Sequence, residues 1–274
     1  MSETLIFIIK MRSKRGQVTL FVIIAILIVA AVILAIVLVP KLNKPKAGQT
    51  DQMNPETYIA DCINDDLEPM VELISKQGGG LELKNCIFYK TANDFCRAYL
   101  CYQTIPYSAC INQEPLLKEK IEQQLKNELI KSNTVSRCIT DFSNTAKQKD
   151  YSITTCSNPQ FNVTLIKGKV TVPINCEITL SKEETKKFSS IVPALNWPLY
   201  DFVLVSKEII NQEITNTDFD PVSYMLQNNW IEVEKFRSTS DSGISKIYTL
   251  RERSSGKEFV FALKNNYWNP AGIL

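Results

Sequence analysis

The sequence predicts an α+β ectodomain carried on a single N-terminal transmembrane helix. Three observations support this prediction: an uncharged apolar run near the start, eight cysteines that all follow it, and a second half that mixes strand-like and helix-like segments. Helices combined with antiparallel hairpins are typical of the α+β class. The predicted order is a cytoplasmic basic leader, a transmembrane helix, a linker, a helical cysteine-rich region and a region of antiparallel strands with helices, over residues 1–16, 17–39, 40–54, 55–148 and 149–274.

The apolar run from Val18 to Val39 contains 22 residues without a charge, a glycine or a proline. A helix of that length extends about 33 Å, and the hydrocarbon core of a bilayer is about 30 Å thick. A cleaved secretory signal has a shorter apolar region of about 7–15 residues. The run therefore predicts a membrane span rather than a cleaved signal or a buried helix of a soluble domain.

The flanks of this run predict a cytoplasmic N-terminus and an outer C-terminal domain. Basic residues are more numerous before the run than after it, which favours this orientation: Lys10, Arg12, Lys14 and Arg15 against Lys41, Lys44 and Lys46. No cysteine precedes the run, and an even set confined to one side indicates an oxidising compartment. Translation could start at Met1 or at Met11, where a compact basic leader begins.

The tetrapeptide Lys14-Arg15-Gly16-Gln17, directly ahead of the apolar run, resembles the class III signal of archaeal type IV pilin-like proteins. In that family a prepilin peptidase cuts after the glycine, so the resemblance implies a cut between Gly16 and Gln17. Filament-forming pilins usually carry a glutamate five residues after the cut, where this chain has Phe21. The rest of the chain resembles uncharacterised single-pass membrane proteins of small-genome archaea, and that likeness implies no activity.

Periodic apolar residues predict two long helices in the cysteine-rich region. The first covers 56–76, with a kink or second start at Pro69 and an end at the glycines 78–80. The second covers 115–143, starts at Pro115 and bends near 132–134. Short strands and loops are predicted between them, over 81–111.

The second half of the chain is predicted to contain strands and two further helices. Alternating apolar residues around Lys167-Gly168-Lys169 indicate a hairpin. Helical spacing predicts a helix over 199–215 and a short one over 221–227. The remaining strands are predicted over three segments that short polar turns separate, at 230–236, 244–250 and 259–263.

All eight cysteines are predicted to form disulfides rather than a metal site, because no paired knuckle follows Cys96-x4-Cys101 to complete a zinc site. Cys62 and Cys138 each lie on the apolar face of a predicted helix, so packing of the two helices would bring them together. Cys156 and Cys176 flank the predicted hairpin and form a second candidate pair. The four remaining cysteines would then bond among themselves: Cys86, Cys96, Cys101 and Cys110.

The chain contains no histidine, which removes Ser-His-Asp and Cys-His catalysis and histidine-ligated zinc. No phosphate-binding glycine loop is present, and no cofactor or metal is predicted. Carboxylates at 61–68 and at Asp218 and Asp220 could act as acid and base, but a solvated helix face and a helix cap explain them better. Asn162 in Asn-Val-Thr is a candidate glycosylation site if the domain lies outside the cell.

These features predict a non-enzymatic, single-pass envelope protein whose partners are the lipid bilayer and other envelope proteins or glycans. The net charge is +2, and residues 1–16 carry +3 from four basic residues and Glu3, which leaves −1 for residues 17–274. That balance gives no footprint for nucleic acid. Two alternatives stay open: a minor pilin-like subunit of a type IV pilus-like assembly, and an anchored hydrolase with two carboxylates about 5–9.5 Å apart in a cleft.

Overall fold

The structure of the protein is a computed structural model that describes residues 27–28, 53–88, 95–105, 108–216, 218–240 and 243–265. The chain divides into two units, Met1–Gln52 and Met53–Leu274. In the described part of the chain, no helix combines the length and apolar character that a bilayer crossing requires. The predicted leader, transmembrane helix and linker lie outside the described residues, except for residues 27, 28, 53 and 54. Gly16, Gln17 and Phe21 are among those not described.

The second unit is α+β, with five helices and thirteen strands in its described residues. The helices are α1 (Pro55–Lys76), α2 (Leu117–Lys131), α3 (Thr134–Gln148), α4 (Leu199–Asn216) and α5 (Pro221–Gln227). The strands are β1 (Cys86–Phe88), β2 (Cys96–Tyr102), β3 (Ile111–Asn112), β4 (Ser152–Thr154), β5 (Gln160–Phe161), β6 (Thr164–Ile166), β7 (Lys169–Thr171), β8 (Ile174–Ser181), β9 (Thr185–Ile191), β10 (Ala194–Asn196), β11 (Ile231–Ser240), β12 (Gly243–Glu252) and β13 (Glu258–Lys264).

Helix α1 begins where the Asn54 side chain accepts a hydrogen bond from the N–H of Glu56, as expected of a helix cap. It runs as one element through Pro69, so the predicted second start there is wrong. Packing overrides the lost backbone hydrogen bond, because the stripe around Ile63 and Leu67 is fully buried. The helix ends at Lys76, and Gly78 follows two residues later with a φ of 75°, which suits glycine.

The predicted helix over 115–143 is two helices, α2 and α3. Asn133 separates them with a φ of 51° in the left-handed region, and the Ser132 hydroxyl donates to the Glu128 carbonyl at the end of α2. The first helix begins at Leu117, so the predicted start at Pro115 is wrong. The bend expected near 132–134 is therefore a complete break, because a left-handed residue cannot continue an α-helix.

The largest sheet has the order β1-β2-β13-β12-β11, with β3 on β2. All of its pairings are antiparallel except β13 with β2, which run parallel with Ala262 opposite Tyr99. The expectation of antiparallel strands alone is therefore incomplete. The two strands of this parallel pair come from distant parts of the chain, 55–148 and 149–274, which both contribute to this sheet.

Two smaller antiparallel sheets complete the unit, with orders β10-β7-β6 and β4-β8-β5, the latter carrying β9 on β8. The predicted hairpin is confirmed: β6 pairs with β7 across a turn in which Gly168 has a φ of 72°. Five further elements also match the predicted segments closely: α4, α5, β11, β12 and β13. One continuous core joins α1 to the inner face of the large sheet.

Four disulfides join all eight cysteines: Cys62–Cys138, Cys86–Cys96, Cys101–Cys110 and Cys156–Cys176. The two predicted pairs, Cys62–Cys138 and Cys156–Cys176, are confirmed. The remaining four cysteines bond among themselves, as expected. The Cys62–Cys138 bond ties α1 to α3, whose axes run antiparallel, since Tyr58 contacts Thr145 and Asp66 contacts Thr134.

Candidate functional site

Two of the three charged side chains that are buried among the described residues, Glu213 and Lys246, lie in one place. This charged cluster comprises Glu213 on α4, Asp218 in the following loop, Lys235 and Arg237 on β11, and Lys246 and Tyr248 on β12. Buried charges are costly unless they are paired and hydrogen-bonded. Whether this burial is compensated therefore depends on the contacts that each side chain makes.

Glu213 is the deepest member, with a fully buried side chain. Its Oε2 accepts from Lys246 Nζ at 2.5 Å, and its Oε1 accepts from the Phe219 N–H at 3.0 Å and from the Tyr248 hydroxyl. The Glu213 backbone carbonyl accepts from Asn265 Nδ2 at 2.8 Å. Both carboxylate oxygens are thus satisfied by protein donors, which offsets the cost of burying the charge.

Lys246 lies between the two carboxylates. Its side chain is 6% exposed, and Nζ is 2.8 Å from Asp218 Oδ1 as well as bonded to Glu213. Asp218 forms the outer rim of the cluster, with 43% of its side chain exposed. Three cations face two carboxylates here, because Lys235 and Arg237 also contact Asp218, at 3.1 and 2.7 Å.

These contacts shift two pKa values. Partial burial raises the pKa of the Asp218 carboxyl, but hydrogen bonds from Lys246 and Lys235 outweigh it, so the net pKa lies below the ordinary value. Burial, together with the charge of Glu213, raises the pKa of the Tyr248 hydroxyl. Tyr248 is therefore a hydrogen-bond donor over the whole physiological pH range.

Strand geometry explains why these side chains meet. Alternate residues of a strand share a face, so Lys246 and Tyr248 project together from β12. Antiparallel register places Arg237 opposite Lys246 and Lys235 opposite Tyr248. The Phe219 and Tyr248 rings lie edge to face, 5.9 Å apart, and give the inner half of the cluster an apolar wall.

The structure separates the two carboxylates that the sequence placed around Phe219. Asp218 joins the charged cluster, whereas Asp220 caps α5 by accepting from the Val222 N–H at 3.0 Å. The predicted cap is confirmed. Sequence reasoning missed Glu213 and Lys246, although Glu213 lies four residues after Ile209, on the buried stripe of α4, where a charge is unusual.

The predicted carboxylate group on α1 does not form a site. Asp61, Asp65 and Glu68 are exposed, and Asp66 is engaged by Arg137 and Thr134, each at 2.6 Å. Among the described residues, no group of three or more metal-ligating side chains is close enough to hold an ion.

Asn162 is exposed in the loop between β5 and β6, and its N–H donates to the Pro173 carbonyl at 3.2 Å. It borders an open depression of about 310 Å³, whose polar lining includes Gln160, Asn175 and Ser190. The residues that line this depression include no carboxylate. Asn162 thus lies exposed at the edge of this depression.

Comparison with family models, with curated protein sequences and with solved structures finds no match to this chain. The class that the fold defines is a disulfide-stapled α+β domain with mixed sheets. Any functional conclusion rests on this chain's own residues.

Proposed function

We propose that the protein is a single-pass envelope protein that acts outside the cell membrane as a binding or structural component, not as an enzyme. The observation that carries the proposal is the use of cysteine. All eight cysteines follow the apolar run and all eight are paired in disulfides. Disulfides form and persist in oxidising compartments, and the run is long enough for one span of the bilayer.

A structural role fits the chemistry of the domain better than catalysis does. Among the described residues the most deeply buried carboxylate is Glu213, which is enclosed by protein donors and has no exposed surface where a substrate from solution could bind. The depression beside Asn162 lacks the carboxylate pair that the hydrolase alternative requires. The partners we propose are the bilayer, through residues 17–39, and other envelope proteins or glycans, through the outer domain.

A second candidate is a minor subunit of a pilus-like assembly. The motif Lys14-Arg15-Gly16-Gln17 favours it, because a small residue before the cut gives a prepilin peptidase access to the backbone. Phe21 weighs against filament packing, since it cannot supply the charge that pairs with a neighbouring subunit's amine. Sequencing of the mature N-terminus separates the candidates: a start at Gln17 supports the pilin-like one, and a start at Met1 or Met11 overturns it.

Protease protection tests the proposed location. Protease added to intact cells should digest the domain over residues 53–274, with a cytoplasmic protein of the same cells as the protected control. The positive-inside bias and the oxidised cysteines both predict this result. Digestion that occurs only after permeabilisation would place the domain inside and overturn the proposal.

A further inference from the structure

The charged cluster holds a primary amine against the carboxyl group of another side chain. Lys246 Nζ is 2.8 Å from Asp218 Oδ1 and 2.5 Å from Glu213 Oε2. Asp218 Cγ is one covalent bond beyond Oδ1, so the nitrogen lies close to the carbon that it would attack. Groups held this near to each other react as if at very high concentration.

We propose that Lys246 and Asp218 condense into an intramolecular amide bond, with Glu213 as the proton carrier. This goes beyond the proposed function, because it assigns a covalent modification to residues that would otherwise form only ion pairs. The bond would connect β12 to the loop between α4 and α5, across a sequence separation of 28 residues.

The step balances without another reactant. The Lys246 ammonium gives one proton directly to Asp218 Oδ1, to which it is already hydrogen-bonded at 2.8 Å. The nitrogen lone pair then attacks Asp218 Cγ and forms the C–N bond. Glu213 takes a second proton from the nitrogen and delivers it to the departing hydroxyl, so the Cγ–O bond breaks. One ammonium and one carboxylate become one amide and one water molecule, and Glu213 is regenerated.

The neighbouring groups fit these roles. Phe219 N–H and the Tyr248 hydroxyl bind Oε1 of Glu213 and leave Oε2 directed at the amine, as a proton carrier requires. Arg237 donates to Asp218 Oδ2 at 2.7 Å. A cation in that position stabilises the negative oxygen that forms when the amine adds to Cγ.

Burial keeps bulk water away from the reacting amine. Lys246 is almost wholly excluded from solvent, and the Tyr248 side chain beside it is fully buried. The partly exposed side of Asp218 provides the route by which the water molecule leaves.

Peptide mapping of the full chain tests the bond directly. After reduction, alkylation and digestion with trypsin, we expect residues 208–235 joined to residues 238–251, with a mass one water molecule below the sum of the two peptides. Cleavage at Lys246 should be lost, because an acylated lysine is not a trypsin site. Separate peptides ending at Lys235 and Lys246 would overturn the proposal. A cross-link that joins Lys246 to Asn265, or one that is formed by the amine of Lys235, would overturn it as well.

Three variants assign the roles. Lys246→Arg keeps the positive charge but removes the primary amine, and should abolish the joined peptide. Glu213→Gln keeps both reacting groups and should leave them unjoined. Lys235→Arg is the matched control, since Lys235 also contacts Asp218, and it should leave the joined peptide unchanged. If Glu213→Gln does not fold, the comparison of Lys246→Arg with Lys235→Arg still decides, and a joined peptide in Lys246→Arg refutes the assignment.

Discussion

Removal of the Cys62–Cys138 disulfide should destabilise the domain more than removal of a short-range disulfide. The perturbation is the double substitution Cys62→Ala with Cys138→Ala, compared with Cys86→Ala with Cys96→Ala. The sequence separations are 76 and 10 residues. A disulfide stabilises mainly by restricting the unfolded chain, and the restriction grows with the length of the loop.

The loop lengths set the expected magnitudes. The chain-entropy relation gives about 4.5 kcal/mol for a separation of 76 residues and about 2.7 kcal/mol for a separation of 10. The difference is about 1.8 kcal/mol. Burial adds to it in the same direction, because Cys138 is fully buried and its truncation removes contacts between α1 and α3.

Urea denaturation of each full-chain variant in detergent and without reductant, monitored by circular dichroism, measures the loss of stability in both variants. The Cys62–Cys138 variant should reach its midpoint at a lower urea concentration, by about 1 M for a typical dependence on urea. The Cys86–Cys96 variant is the matched control, because it also loses two sulfurs and both of them are only half-buried. Equal midpoints, or a lower midpoint for the control, would refute the loop-entropy reasoning.

Three further predictions concern single positions. Asn162→Gln should abolish any glycan in the native host, seen as a faster band on a denaturing gel; an unchanged band would mean that the acceptor is unused. Gly78→Ala and Gly256→Ala should each lose about 1–2 kcal/mol, because φ is positive at both. Gly78→Ala should lose more in thermal melts, since its Cβ would lie 3.0 Å from a β13 carbonyl whereas Gly256 has open space. A hydrogen bond from the Ser223 hydroxyl, and after it one from a backbone N–H, lowers the pKa of Asp220 in the folded protein. The stabilisation that the ionised Asp220 carboxylate gives is therefore present near neutral pH and is lost as pH falls below about 4. Asp220→Asn keeps the cap without the titration and should flatten that part of the stability curve; an unchanged curve would contradict this.

The sequence predicted those elements whose signal is local. Ile59, Ile63 and Leu67 recur at helical spacing, and all three are fully buried on α1. The hairpin at Gly168 was equally predictable, since a turn residue with alternating apolar neighbours fixes the register. In both cases the pattern that determines the structure lies within one short stretch of chain.

The break at Asn133 was only half visible in the sequence. The interruption of the apolar stripe there indicated a bend, but a bend and a break leave the same gap in the pattern. Asn133 adopts a left-handed conformation that asparagine tolerates better than most residues. The disulfide that ties α3 to α1 through Cys138 is a long-range contact, which the interrupted stripe does not reveal.

Which of the four middle cysteines bond to each other could not be predicted from the sequence either. Cys96 and Cys101 both lie on β2, and the pairing of β2 with β13 shifts register between them. Each bonds to a different neighbour of β2, Cys96 to Cys86 on β1 and Cys101 to Cys110 just before β3. Spacing alone could not show this, because it does not reveal that both cysteines share one strand.

The charged cluster was unpredictable for a related reason. Glu213, Asp218 and Lys246 lie on a helix, a loop and a strand, and no local pattern links them. The parallel pairing of β13 with β2 is similarly remote, with Ala262 opposite Tyr99. Signals carried by single residues, such as Glu213 on an apolar stripe, indicate that a partner must exist but not which residue it is.

The disulfides fall into two separate regions of the chain, although one continuous hydrophobic core runs through both regions. Three disulfides lie within residues 55–148 and the fourth lies within residues 149–274. The proposed bond between Asp218 and Lys246 also lies within the second region. The two regions are thus joined across the domain by noncovalent contacts, among them the β2–β13 pairing and the Trp197–Ser75 hydrogen bond of 3.2 Å. Because a cross-link restrains only the loop that it closes, the two regions are held together by these contacts and by the main chain between residues 148 and 149, with no disulfide across them. The two regions could therefore separate at the shared sheet without the loss of a covalent bond.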